Sequence, residues 1–120
     1  MDVDVDERIG PFYRADGVAR WMGITLQAFN ELVREHRLLA LTSSSGTLVF
    51  PTFQFGPTGE LLPHLADLLQ FLDPDGRDPL GSALWLNRPA ERFSGLTPAE
   101  KLRAGGALEV LAAARQIKSS

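Results

Sequence analysis

Two histidines, three consecutive serines and a cluster of aspartates are the residues of this chain whose chemistry could be catalytic. His36 and His64 could act as general bases, Ser43, Ser44 and Ser45 as nucleophiles, and Asp73, Asp75 and Asp78 as ligands of a hard cation. None of these sets converges. The histidines are far apart, and periodicity puts each on the polar side of its own helix. The serines have no nearby base and, with Gly46, read as turn residues. Gly76 is misplaced for a calcium loop and Pro74 stiffens it, so residues 73–78 read as a linker with capping acids. No glycine-rich phosphate cradle is present. The chain has no cysteine, which removes thiol catalysis, disulfides and thiolate metal sites. The expectation is a binding protein and not an enzyme, with no cofactor and no metal.

A second set of residues suits recognition. Thr25, Gln27, Ala28, Asn30, Glu31, Arg34 and Arg37 fall on the outer side of a helix whose inner side carries Leu26, Phe29, Leu32 and Val33. Gln and Asn can read adenine with paired hydrogen bonds, while Arg can contact guanine or phosphate. Ser44, with Ser43 and Ser45, stands at a turn that could touch a phosphate backbone. The bland alternative is a solvated helix face, and Glu31 and Glu35 favour it. Trp85 also has two readings, as core among Leu80, Leu84 and Leu86 or as an interface anchor.

The elements that would position these residues follow from caps and punctuation. Asp16 can cap a helix to about Met22, and Gly23 can end it. Thr25 can cap the next helix, to about Arg37. Residues 39–42 and 47–50 read as a hairpin around Ser43-Ser44-Ser45-Gly46. Helix, glycine turn, helix and hairpin form the order of a winged helix-turn-helix.

Beyond the Gly56-Pro57-Thr58-Gly59 break, Leu61, Leu65, Leu68 and Leu72 make one helical row, with Pro63 tolerated in its first turn. A helix from about Leu80 to Asn87 follows. Thr97-Pro98-Ala99-Glu100 has the pattern of a capping box with proline at the first helical position. A last helix carries Ala107, Val110, Leu111, Ala114 and Ile117 on one stripe. The fold class expected is mainly α: a flexible leader over 1–12, a winged helix-turn-helix over 13–55 and a helical domain over 60–120.

Composition sets bounds on partners. An apolar content of 44% over 120 residues supports a real core. No apolar run reaches the roughly 20 residues that span a bilayer, so no membrane is expected and a cytoplasmic location is the simplest inference. The net charge is −3, and residues 1–12 carry Asp2, Asp4, Asp6 and Glu7 against a single base, Arg8. Residues 13–55 alone have a positive balance, Arg14, Arg20, Arg34 and Arg37 against Asp16, Glu31 and Glu35. One copy would therefore hold DNA weakly, since phosphate neutralisation supplies most non-specific affinity.

The segment from about Leu84 to Leu111 resembles the toxin-binding domain of the Xre/MbcA/ParS antitoxin family. The likeness lies in Trp85, Leu86, Pro89, Pro98, Ala99, Glu100, Leu102, Arg103, Gly105, Val110 and Leu111. Residues 13–55 are similar to the small winged helices of excisionases and MerR-type regulators, a departure from the all-helical domain usual in that antitoxin family. The resemblance implies an antitoxin of a bacterial type II pair that blocks a RES-type, NAD-consuming toxin by covering its active site. Trp85, Arg103, Arg115, Lys118, Ser119 and Ser120 would carry the toxin contact. A homodimer repressing its own operator DNA is also implied. The alternative is a stand-alone DNA-binding regulator or excisionase-like protein without a toxin.

Overall fold

The computed structural model describes residues 10–119, with side chains described through Ile117. The expected leader at residues 1–9 and the terminal Ser120 lie outside the described residues, as do the side chains of Lys118 and Ser119. In chain order the elements are β1 (Phe12–Arg14), α1 (Ala15–Met22), α2 (Leu26–Arg34), β2 (Leu41–Thr42) and β3 (Leu48–Pro51). Four more helices follow: α3 (Leu65–Leu72), α4 (Pro79–Leu86), α5 (Pro98–Arg103) and α6 (Ala107–Ser119). Short 3₁₀ turns sit at Thr52–Gln54 and Glu91–Phe93. The fold is mainly α with one three-stranded antiparallel sheet, ordered β1-β3-β2.

The sheet holds the first correction. The leader was expected to run through residue 12, yet Phe12 opens a strand, pairing with Pro51 while Arg14 pairs with Val49. The Thr52 N–H also donates to the Pro11 carbonyl at 3.0 Å. Three residues are too short a run to show alternation, so nothing local announced β1.

Helix ends obey the local chemistry with one exception. Asp16, expected to cap α1, lies inside its first turn and accepts from the neighbouring Gly17 N–H. The reason is that β1 runs straight into the helix through Arg14, which makes no side-chain cap. Thr25 Oγ1 accepts from the Ala28 N–H at 3.0 Å. Thr97 and Glu100 close a full capping box, with reciprocal bonds of 3.0 and 2.8 Å. Replacing Thr97 with alanine is therefore expected to cost about 1 kcal/mol of stability, read as a lower urea midpoint with unchanged slope. An unshifted midpoint would show that the box adds nothing beyond solvation of the helix end. Gly23, at φ 74°, ends α1, with the Ile24 N–H donating to the Ala19 carbonyl and the Gly23 N–H to that of Arg20. This is the reciprocal pairing that a left-handed residue permits.

The same pairing ends α2 three residues before the expected Arg37. The His36 N–H donates to the Val33 carbonyl and the Arg37 N–H to that of Leu32, with His36 itself at φ 58°. A histidine occupies the position where glycine is usual. Leu26 was expected to pack inward and is instead 50% exposed. It opens the helix, where there is no preceding turn to cover it, and Phe29 is the residue of α2 that is fully buried.

The Leu-rich helix is also shorter than its periodicity predicts. Leu61 bridges Phe55, the Leu62 N–H donates to the Gln54 carbonyl, and His64 stands at φ 63° before α3 begins. Pro63 disfavours helical geometry at Leu62, so the helix cannot start ahead of it. Leu65, Leu68 and Leu69 then form its buried side. One continuous cluster of buried side chains runs from Val18 and Phe29 through Leu68 and Leu86 to Val110 and Ala114. Both halves of the chain contribute to the same core.

Candidate nucleic-acid interface

The outward strip of α2 is built by its inward anchor. Phe29 lies against Phe50 of β3, ring centroids 4.9 Å apart at 74°, an edge-to-face contact. Leu32 and Val33 pack beside it, half-buried. Besides Leu26, the exposed positions of α2 are Gln27, Asn30, Glu31 and Arg34, while Ala28, expected on the outer side, is half-buried. Gln27, Asn30 and Arg34 are spaced three and four apart, so they share one face of the helix. Thr25 is placed differently: its hydroxyl oxygen caps the helix, which leaves the hydroxyl proton and one lone pair to offer outward. Arg37 follows the helix end and is exposed.

The hairpin tip is closed by hydrogen bonds. The Ser43 N–H donates to the Thr47 carbonyl at 2.8 Å and the Gly46 N–H to the Ser43 carbonyl at 3.0 Å. The Ser43 hydroxyl pairs with that of Ser45 at 2.9 Å, and Ser43 is buried. Of the three serines, Ser44 and Ser45 are exposed at the tip. Ser43 is thus withdrawn from the tip surface, and the Ser45 hydroxyl is engaged with Ser43 and with Thr47 Oγ1 at 3.3 Å.

Beside this unit stands an aromatic cluster of Tyr13, Trp21 and Phe55, with centroids 5.3–5.9 Å apart. The 56–60 turn closes over Trp21. Gly59 stands at φ 86°, and a Cβ there would lie 3.1 Å from the Trp21 carbonyl oxygen, so this position needs glycine twice over. Glu60 secures the turn by accepting from the Thr58 hydroxyl and N–H. That hydroxyl first, then the backbone N–H groups of Glu60 and Thr58, hold the Glu60 carboxyl below its ordinary range.

The residues expected to meet a protein partner separate in space. Arg103 turns back on its own chain, donating through one nitrogen to the Phe53 and Phe55 carbonyls at 2.9 and 3.1 Å. It joins the two halves. Arg115 is exposed on α6. The α6 stripe largely closes the core: Val110, Ala113 and Ala114 are buried, with α6 packed on α3 and α5. Ile117 escapes, half-exposed, and with Trp85 it lines a groove of about 430 Å³ between α4, the 91–93 turn and α6. Sequence reasoning missed most of this groove, because Arg88, Phe93, Ala113 and Ile117 carry no shared spacing.

The histidines also divide. His64 is exposed and 3.9 Å from Asp67 one turn on. His36 was expected on a polar helix face. It is instead partly buried behind α2, with Nε2 lacking a hydrogen-bond partner and 3.9 Å from the Asp73 carboxylate. The left-handed turn at the helix end swings it inward. Asp73 accepts from the Arg77 and Asp78 N–H groups, and Asp78 caps α4 through the Gly81 N–H, as the reading of that loop anticipated. Among the described residues, no group of three or more His, Asp or Glu could hold a metal ion, and no helix is long and apolar enough to cross a membrane.

No family model matches this chain, and no curated protein matches it. Among solved structures it is similar to the NMR structure of Rv2175c. The TM-score is 0.79 and the identity 26%, covering 95% of this chain and 85% of that one. The likeness therefore extends over both halves of the molecule.

Proposed function

We propose that this chain is a cytoplasmic DNA-binding regulator that inserts α2 into the major groove, with the β2–β3 hairpin as a wing against the backbone. The observation that carries this reading is the exposed strip of Gln27, Asn30 and Arg34 on a helix anchored from behind by Phe29. Side chains able to read base edges stand on a rigid support, which is what direct readout requires. Low net charge limits what one copy can do, so the reading includes a homodimer on paired half-sites.

Fluorescence anisotropy on the chain's own upstream DNA at low salt tests this. Arg34→Ala is expected to weaken binding by about 1–3 kcal/mol. Arg37→Ala is expected to lower affinity on all sequences alike and reduce the salt slope by about 1. Glu31→Gln should act in the opposite direction, tightening binding a few-fold by removing a charge that faces phosphate. Wild-type protein that binds no duplex at about 50 mM salt ends the proposal.

A second reading is antitoxin activity, in which the groove at Trp85 docks a RES-type toxin and blocks its active site. Its support is that the partly buried Trp85 of α4 and the half-exposed Ile117 of α6 line one groove. Arg103 takes no part in this version, being committed to the Phe53 and Phe55 carbonyls. Co-expression with the toxin encoded beside it is the test. Failure to form a complex or restore growth removes this reading and leaves DNA binding standing.

A further inference from the structure

We propose that the groove between α4 and α6 is a binding site for a small amphipathic acid, an aromatic or branched apolar body bearing one carboxylate. Its apolar wall is Trp85, Phe93, Pro98 and Ile117, and its polar contribution comes from Arg88 and Arg92. A volume of about 430 Å³ falls within the range of small-ligand sites.

Charge sets the class of ligand. The protein as a whole is acidic, yet among the described residues no carboxylate lines this groove and two guanidinium groups do. Arg92 is held in place, donating to Gln116 Oε1 at 2.7 Å with its guanidinium carbon 5.8 Å from the Phe93 ring centroid. One bond uses one of five N–H donors, so the planar fork retains donors for a carboxylate. Arg88 is exposed and makes no salt bridge among the described residues. Two guanidiniums beside an aromatic wall match a ligand that is negative at one end and flat or apolar at the other. A cation would meet repulsion, and a neutral molecule would gain nothing from the charge of the two exposed arginines.

The site is independent of DNA contact, because none of its residues belongs to α2 or the wing. The experiment therefore reads the ligand directly. Amide and indole NMR shifts of the full chain are followed during titration with 2-naphthoate, with neutral 2-naphthylmethanol and cationic 2-naphthylmethylamine in parallel. Saturable shifts are expected at the Trp85 indole, Phe93 and Ile117, with the neutral compound weaker by about tenfold and the cation weaker still. Arg88→Gln is expected to weaken naphthoate about tenfold while leaving DNA affinity unchanged, since Arg88 supports no other described side chain. Absence of saturable binding overturns the proposal, as does equal affinity for acid and alcohol, or an Arg88→Gln protein that binds naphthoate normally. A peptide pairing Trp with Asp that bound the groove more tightly than naphthoate would also overturn it, assigning the site to a protein segment.

Discussion

Gln54→Leu is expected to destabilise the protein by about 2–5 kcal/mol, among the largest effects of any single change here. Gln54 is fully buried, and its side-chain amide makes two bonds to one residue. Oε1 accepts from the Leu39 N–H at 2.7 Å, and Nε2 donates to the Leu39 carbonyl at 2.9 Å. Leu39 is itself fully buried, just ahead of β2, so no water can replace either bond. In effect the glutamine supplies the pairing of a missing strand. Leucine matches its bulk but leaves a donor and an acceptor orphaned, each worth about 1–3 kcal/mol. Thermal unfolding is expected to shift down on the order of 10 °C or more. Gln54→Glu should be at least as damaging at neutral pH, because it places a carboxylate against the Leu39 carbonyl. If Gln54→Leu melts with the wild type, the pairing is replaceable and this account of the β2 approach is wrong.

Phe29→Ala is expected to cost about 3–5 kcal/mol and to abolish DNA binding with it. Phe29 fixes the rotation of α2 against the sheet through Phe50, and the cavity left by alanine cannot close without moving the helix. Its informative counterpart is Asn30→Ala, one position along and exposed. That change should leave stability within about 0.5 kcal/mol of wild type while weakening DNA binding. The pair separates support from contact, measured by urea unfolding and anisotropy on the same preparations. Equal losses of stability in both variants would show that the outward strip is structural, which removes the argument for groove insertion.

The sequence was most legible where a residue acts on its near neighbours. Thr25, Gly23, Thr97 with Glu100, and Asp78 all hold the capping roles their types and spacing suggest. The outward side of α2 followed from the same periodicity. Errors arose where local rules competed. Pro63 delayed α3, and His36 took the left-handed position that stopped α2 early. The exposed residues of α2 were thus readable as a group, while the residues expected to meet a protein partner do not come together. Trp85 lines a groove, whereas Arg103 is tied to the chain's own backbone.

Taken alone, the sequence determined the helix-turn-helix-hairpin order, the helix caps other than the N-cap of α1 and most of the face that α2 turns outward. These depend on groups within a few positions of one another, and spacing records them directly. Tertiary structure decided the third strand, the buried Gln54–Leu39 pairing across 15 residues, the Arg103 tie across 50, the His36–Asp73 approach and the arginine-lined groove. Such contacts depend on which distant segments the shared core brings together, and a short local pattern has no means of encoding a neighbour that only folding supplies.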